Sequence, residues 1–399
     1  MSNLKDKPYF CVLPWMHIHV NTQGRLVPCC MAKNENQYPH IDEGEFPVLF
    51  SYEKFKNLRR DMLSDTPNSD CQQCYELEKY GTHSGRNHAN SKYLSEDVVS
   101  AILNSTNEDG SLETVNILYW DVRFNNICNY KCRMCGVNYS TKWYEDANLL
   151  GWIEKPKKPI VSINNVTEFC NKNKEYIKQM KYVYFAGGEP LVQDEHYEFL
   201  RWCIDNNIKP ELYYQSNGSI LDYKKNDILN LWKHFSKVTY SVSIDSFGKL
   251  GEYIRSGYKD STVQENLEKI CKEFGSNREI TINSTFMAYN AFYITEFFDE
   301  ISTKSWVMET NVYPQLLVHP EHLQPKVLPD DIKKIALEKI YKSVWYEKYP
   351  HKFLSLINNL KEDFSPDLWD KFKAYTKKLD DGRDESILEV FPELGPYYD

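Results

Sequence analysis

The sequence predicts an α/β protein: a partial (β/α)6 TIM-like barrel, with a small cysteine-rich region ahead of it and a helical extension after it. Three observations carry this expectation. Apolar strand-like runs recur near residues 115, 182, 211, 238, 280 and 306 with helical patterns between them, an alternation that calls for parallel strands joined by crossover helices. Cys11, Cys29, Cys71 and Cys74 all fall before the first of those runs, and beyond the prolines of HPEHLQPKVLP the pattern is helical and rich in Tyr, Trp, Lys and Asp. The expected divisions are residues 1–100, 112–320 and 321–399.

In the N-terminal region VNTQGRLVP reads as a hairpin whose Gly24 permits the turn, and Cys11 and Cys29 frame that glycine as C-x12-G-x4-C. Cys71-x2-Cys74 completes four thiolates. Four thiolates suit an iron–sulfur cluster or a tetrahedral zinc ion. Cys30 follows Cys29 directly, and adjacent side chains diverge, so one of the pair points away from whatever the other holds. His17 and His19 share one face of a strand, where ordinary packing competes with a view of the active site.

The barrel begins with VNILYWDVRF, residues 115–124, and the run CNYKCRMC follows it with Cys128, Cys132 and Cys135 spaced C-x3-C-x2-C. Three clustered thiolates hold three irons of a [4Fe-4S] cubane and leave one iron open to an outside ligand. A structural zinc site would instead close with a fourth Cys or His, and none follows nearby. A metal-binding loop without chemistry is the plain alternative.

Each later strand ends in a polar motif. Gly187-Gly188-Glu189-Pro190 follows YVYFA, Ser216-Asn217-Gly218 follows ELYYQ, Ser243 and Asp245 end VTYSVSID, and Arg255 follows in YIRSG. In parallel barrels the functional face gathers at the C-terminal strand ends, so these motifs are mutually consistent. Asn283, Thr285 and Met287, ending ITINSTFM, are further candidates for that face, with Phe286 read as core. Tyr213, Tyr214, Glu309 and Asn311 are barrel-facing candidates indistinguishable from packing residues.

The helices between are legible as single apolar stripes: Ile228, Leu231, Trp232 and Phe235, then Ile294, Phe297, Phe298 and Ile301, both at i, i+3, i+4, i+7. Cys170, Cys203 and Cys271 fall in such stripes and read as core. HPEHLQPKVLP reads as an extended linker, after which Asp330 is expected to cap a helix carrying Ile332, Ile335, Ala336 and Ile340.

On the C-x3-C-x2-C triplet and the GGEP segment the chain resembles the radical S-adenosylmethionine (SAM) superfamily. The resemblance implies an enzyme in which Cys128, Cys132 and Cys135 hold the catalytic cluster, whose open iron chelates SAM and cleaves it to a 5′-deoxyadenosyl radical that takes hydrogen from a substrate C–H bond. It also implies that Met134, Gly187, Gly188, Glu189, Pro190, Ser216, Asn217, Ser243, Asp245 and Arg255 surround SAM. The arginine fork matches the SAM carboxylate. The C-x12-G-x4-C pattern with Cys71 and Cys74 is similar to SPASM/Twitch auxiliary-cluster domains, and implies a second [4Fe-4S] cluster, here ahead of the barrel instead of behind it. The implied partners are a peptide or small-molecule substrate and an electron donor such as flavodoxin or ferredoxin. A non-catalytic redox or zinc-binding scaffold is the rival reading.

The net charge of −9 argues against a broad nucleic-acid surface. Lys155, Lys157 and Lys158 form the one basic cluster, in a proline-spaced loop. No run approaches the ~18 apolar residues of a membrane span, and MSNLKDKPYF lacks a signal-peptide core, so the expected location is the cytoplasm.

Overall fold

The structure is a computed structural model that describes residues 4–81, 83–154, 158–275 and 278–398; Lys155 and Lys157 lie outside it. Its centre is an eight-stranded, mostly parallel sheet. The strands are β1 (His17–Val20), β2 (Leu26–Val27), β3 (Tyr119–Val122), β4 (Tyr182–Phe185), β5 (Glu211–Ser216), β6 (Val238–Ser243), β7 (Arg278–Phe286) and β8 (Val312–Leu316), in spatial order β8-β7-β6-β5-β4-β3-β1-β2. Within this sheet, among the described residues, only the β1–β2 hairpin pairing is antiparallel.

Six of these strands, β3 to β8, answer the six expected runs. Two differ in extent: the first strand is confined to Tyr119–Val122 within the expected 115–124, and the sixth begins at Val312, with Trp306 buried in the turn before it. The hairpin was expected, but not its place. β1 joins the main sheet in parallel beside β3, with His17 opposite Tyr119 and His19 opposite Asp121.

Strand alternation divides the sheet into two unlike faces. On one, Ile18, Trp120, Val183, Leu212, Tyr214, Val238, Tyr240, Val242 and Ile282 are buried beneath the helices. On the other, Tyr184, Tyr213, Gln215, Ser243 and Asn283 remain partly exposed and polar. Helices Asp194–Asp205, Asp260–Phe274 and Ile294–Ser302 bury apolar stripes such as Val263, Leu267 and Ile270. Each fully buried aliphatic side chain of this kind contributes roughly 1.5–3 kcal/mol. Cys170 and Cys203 are fully buried core residues, and Phe286 is core as expected.

Helix Ile228–Trp232 is shorter than its stripe and is capped by Asp227, which accepts from the amides of Leu229 and Asn230. Two tail expectations are corrected. The HPEHLQPKVLP segment is not an extended linker, since Leu323 and Val327 are buried on the short turns Glu321–Leu323 and Pro325–Val327. Asp330 is the first residue of helix Asp330–Lys342 instead of its cap; its carboxylate lies 2.8 Å from Lys333 Nζ.

The N-terminal region closes the lower end of the polar face. Helix Gly85–Tyr93 places Lys92 Nζ 2.9 Å from Tyr213 Oη, and Tyr93 packs on Tyr119 and Tyr182 at ring separations of 5.8 and 5.2 Å. Among the described residues, no helix is long and apolar enough to cross a membrane.

Candidate active site

The loop after β3 carries Cys128, Cys132 and Cys135, with Cys132 buried and the other two half-buried. Short-range order comes from its own backbone. The Cys135 amide donates to the Cys132 carbonyl at 3.0 Å, and the Tyr130 amide points at Cys128 Sγ at 3.4 Å.

The loop is tied to its neighbours on three sides. Lys131–Cys132 pairs antiparallel with Arg255–Ser256, and Arg255 Nη1 donates to Cys132 Sγ at 3.7 Å. Arg255 is in turn held by Asp245, Nε to Oδ2 at 2.8 Å, while Asp245 accepts from the Thr285 amide at 2.7 Å. On the second side the Glu189 amide donates to the Ile127 carbonyl at 2.8 Å. On the third, Asn217 Nδ2 donates to Asn129 Oδ1 at 2.8 Å.

Gly188 explains why this approach needs glycine. Its φ is +44°, and a Cβ there would stand 2.3 Å from the Ile127 carbonyl oxygen. Replacing Gly188 with Ala is therefore expected to cost ~1–3 kcal/mol and to part the turn from the cysteine loop, which urea denaturation of the variant measures.

Glu189 is buried and accepts from the amides of Leu191 and Asn217 and from Ser216 Oγ, at 3.1, 2.7 and 2.9 Å. Burial nevertheless pushes its carboxyl up to about 7, against those three donors. A carboxyl raised from 4.5 stabilises the fold fully below pH 4.5 and loses that contribution as pH rises through about 7. The cluster-free protein is thus expected to lose on the order of 3 kcal/mol over that window, a loss absent from Glu189→Gln when the two are compared by urea titration at several pH values.

The remaining expected residues are placed as follows. Ser243 accepts from Gln215 Nε2 at 2.6 Å, and Asn283 donates to Gln215 Oε1 at 3.1 Å, a polar ladder across β5, β6 and β7. Pro190 opens the buried turn Pro190–Val192, Met134 packs half-buried against the core, and Met287 is fully buried. Tyr214 faces the helices and contacts His196 Nε2 at 2.9 Å. It cannot share the polar face with Tyr213, because consecutive strand residues point oppositely. Glu309 pairs with Lys348, and Asn311 donates to the Ile280 carbonyl.

Two groups of functional interest were not legible. The first is Arg133, fully buried between cysteine ligand candidates, with its guanidinium 3.5 Å from the Tyr253 ring and bonded to Asp380 at 2.5 Å and Glu385 at 2.6 Å. Tyr375 Oη adds a bond to the Arg133 carbonyl at 2.6 Å, so helix Pro366–Arg383 clamps the loop. The second is Asp121 and Arg123 at the end of β3: Asp121 lies 2.7 Å from His19 Nδ1 and 3.3 Å from Arg123 Nε.

In the N-terminal region, Cys11 and Cys74 are buried and Cys29 and Cys71 half-buried. The four thiols are electrostatic neighbours, each raising the charge cost of another. Arg86 closes this group, donating to the Phe10 carbonyl at 3.2 Å. Burial is the first cause that raises both neighbours, Cys30 to about 11; after it, Cys30 feels Arg123 and Asp121, whereas Cys29 feels Cys30, Cys74, Cys71 and Cys11.

Seven thiols in two groups are the donor chemistry of iron–sulfur clusters. Burial raises all seven thiols, Cys71 and Cys135 to about 12, so a compensating cation is what would make them thiolates. Among the described residues no three Cys, His, Asp or Glu side chains converge on the point of a single ion. A cubane takes its thiolates at separate corners.

The radical SAM superfamily model matches residues 122–299, which begin at the end of β3 and include the cysteine loop, the GGEP turn and Arg255. Residues 122–299 are a radical SAM domain. The model of the SPASM iron–sulfur cluster-binding domain matches residues 11–75, so that domain lies N-terminal to the radical SAM domain. The chain's cofactors are SAM, a SAM-binding cluster and an auxiliary cluster.

No curated protein sequence matches the chain. Among solved structures it is similar to native anSMEcpe with bound AdoMet, at 18% identity and TM-score 0.39, covering 58% of this chain and 61% of that one. It is also similar to Streptococcus suis SuiB bound to precursor peptide SuiA, at 10% identity and TM-score 0.37, covering 96% and 74%. The chain spans about three-fifths of the length of anSMEcpe.

Proposed function

We propose that the protein reductively cleaves SAM and uses the 5′-deoxyadenosyl radical to abstract hydrogen from a substrate C–H bond, oxidising or otherwise modifying a peptide or small molecule. The observation that carries this reading is the convergence, at the C-terminal ends of β3, β4, β5 and β6, of the three-cysteine loop with the GGEP turn, Asn217 and the Arg255–Asp245 pair. A bound cluster supplies one electron and an open iron. Everything else is the work of side chains.

In this reading Cys128, Cys132 and Cys135 hold the catalytic cluster within a partial (β/α)6 barrel spanning residues 112–320. Arg255 offers its fork to the SAM carboxylate, and Asp245 keeps that fork oriented. Gly187 and Gly188 let backbone carbonyls approach the ligand without side chains. Glu189 fixes the turn against Ser216 and Asn217, so Met134, Pro190, Ser216, Asn217 and Ser243 form one wall. Cys11, Cys29, Cys71 and Cys74 hold the auxiliary cluster in the region 1–100. The tail, residues 321–399, secures the catalytic loop through Arg133. Flavodoxin or ferredoxin serves as the electron donor.

Anaerobic reconstitution with iron and sulfide tests the reading. Two cubanes require about eight irons per chain, and incubation with SAM and a strong reductant is expected to yield 5′-deoxyadenosine. Four irons with zinc, or no deoxyadenosine from a fully loaded protein, would remove it.

A further inference from the structure

Eight of the nine tryptophans are buried, and Trp152 alone stands exposed, at 51%. It is nevertheless held on both faces. Its ring stacks on Trp143 at 5.7 Å with the planes 4° apart, and on Tyr375 at 6.2 Å and 21°. Both flanking residues reach the cysteine loop: Trp143 Nε1 donates to the Cys132 carbonyl at 2.8 Å, and Tyr375 Oη to the Arg133 carbonyl at 2.6 Å. One ring contact and one hydrogen bond therefore separate an exposed indole from the backbone of a candidate cluster ligand.

The local fold puts this stack at the surface. Helix Trp143–Leu149 ends just before Trp152, whose amide donates to the Ala147 carbonyl at 2.7 Å and so turns the chain back over Trp143. Leu149, 47% exposed, packs against the end of helix Pro366–Arg383, where a Cβ on Gly382 would stand 2.3 Å from its Cδ2. Leu149 and Trp152 together make an apolar patch over the seam between the two helices. A patch of this kind on a folded surface marks a contact with another molecule, tryptophan is enriched where proteins meet, and the brief encounters of electron carriers need only a small area.

The charge around the patch has the opposite sign to the chain's net −9. Lys142 precedes Trp143, and the Lys158 carbonyl accepts from Tyr144 Oη at 2.9 Å. Lys371 and Lys378 lie one turn to either side of Tyr375 on its helix. All four lysines are exposed, and among the described residues none is in an ion pair. Glu145 and Glu154 are the exposed carboxylates on the Trp143–Trp152 segment and its continuation.

We propose that this patch is the docking site of an acidic one-electron carrier protein of the flavodoxin type, and that Trp152 and Trp143 lead its electron to the loop of Cys128, Cys132 and Cys135. The proposal rests on the SAM-cleaving reading for the cluster that this loop holds. The carrier's anionic flavin hydroquinone gives up one electron and becomes the neutral semiquinone, the cluster is reduced by that electron, and no proton moves. Neither indole is itself reduced. The rings bridge the gap, because an electron tunnels more readily through packed and hydrogen-bonded atoms than across open space. On its other sides the loop meets Arg255, Glu189 and Asn217, so the carrier and SAM approach it from different directions.

Reduced flavodoxin is the probe. It is mixed anaerobically with the fully loaded protein, without SAM, and freeze-quench electron paramagnetic resonance follows the signal that is missing from Cys132→Ala. Trp152→Ala is expected to slow the appearance of that signal about tenfold, as for the loss of a central interface tryptophan, and Trp152→Phe to keep most of the rate. Dithionite, a small reductant that needs no docking, is expected to reduce the parent and both variants equally fast. Lys371→Glu with Lys378→Glu is expected to weaken flavodoxin binding about tenfold at low salt and to flatten its salt dependence. Iron content confirms that each variant is folded and loaded. The proposal is overturned by equal flavodoxin rates in the parent and Trp152→Ala, by dithionite slowed as much as flavodoxin, by a parent that dithionite reduces and flavodoxin does not, or by charge reversals without effect on binding. Deoxyadenosine formation driven by dithionite is scored apart and is expected to be the same in the parent and Trp152→Ala; its absence from the parent removes the SAM-cleaving reading and leaves the measured route of the electron standing.

Discussion

Cys132→Ala is expected to eliminate 5′-deoxyadenosine formation and to remove about four of the eight irons, leaving the auxiliary cluster in place. Cys132 is the most buried of the three loop cysteines, the one whose sulfur faces Arg255, and the residue whose backbone pairs with the Arg255 strand. Losing its thiolate removes a cluster ligand and leaves Arg255 with Asp245 alone. Iron counting and the deoxyadenosine assay are read together. A variant that kept all its iron, or kept cleaving SAM, would show that the catalytic centre lies elsewhere. The matching change Cys29→Ala is expected to remove the other half of the iron, and Cys30→Ala none.

Arg133→Met is expected to destabilise the protein by about 3–5 kcal/mol, because it leaves Asp380 and Glu385 without their cation in a largely buried setting. The arginine also loses its seat on Tyr253, where a desolvated cation–π contact adds about 2 kcal/mol. Guanidinium denaturation measures the loss. The triple change Arg133→Met with Asp380→Asn and Glu385→Gln is expected to recover part of it, since the charges then leave together. A single variant as stable as the parent would show that the tail does not clamp the cysteine loop.

The motifs that were legible in the sequence are those written in consecutive residues. C-x3-C-x2-C, GGEP and Ser216-Asn217-Gly218 depend on local spacing, and the strands β3 to β8 depend on period-two or continuous apolar runs. Partners far apart in the chain were not legible. His19 meets Asp121 only because β1 lies beside β3 in one register, and a shift of one residue would turn Asp121 to the helices. Arg133 and Asp380 are 247 residues apart, and nothing in CRMC signals an acidic partner in a distant helix. Asp330 misled for a smaller reason: an acidic residue in the first turn and one at the cap give the same sequence signature.

The parallel pairing of β1 with β3 sets an order of events during synthesis. β1 ends at Val20, whereas its partner begins at Tyr119, so the first strand leaves the ribosome with no neighbour but the two residues of β2. Contacts this distant in sequence are slow to close. Until Tyr119–Val122 follow, the edge of β1 that β3 covers has no strand beside it.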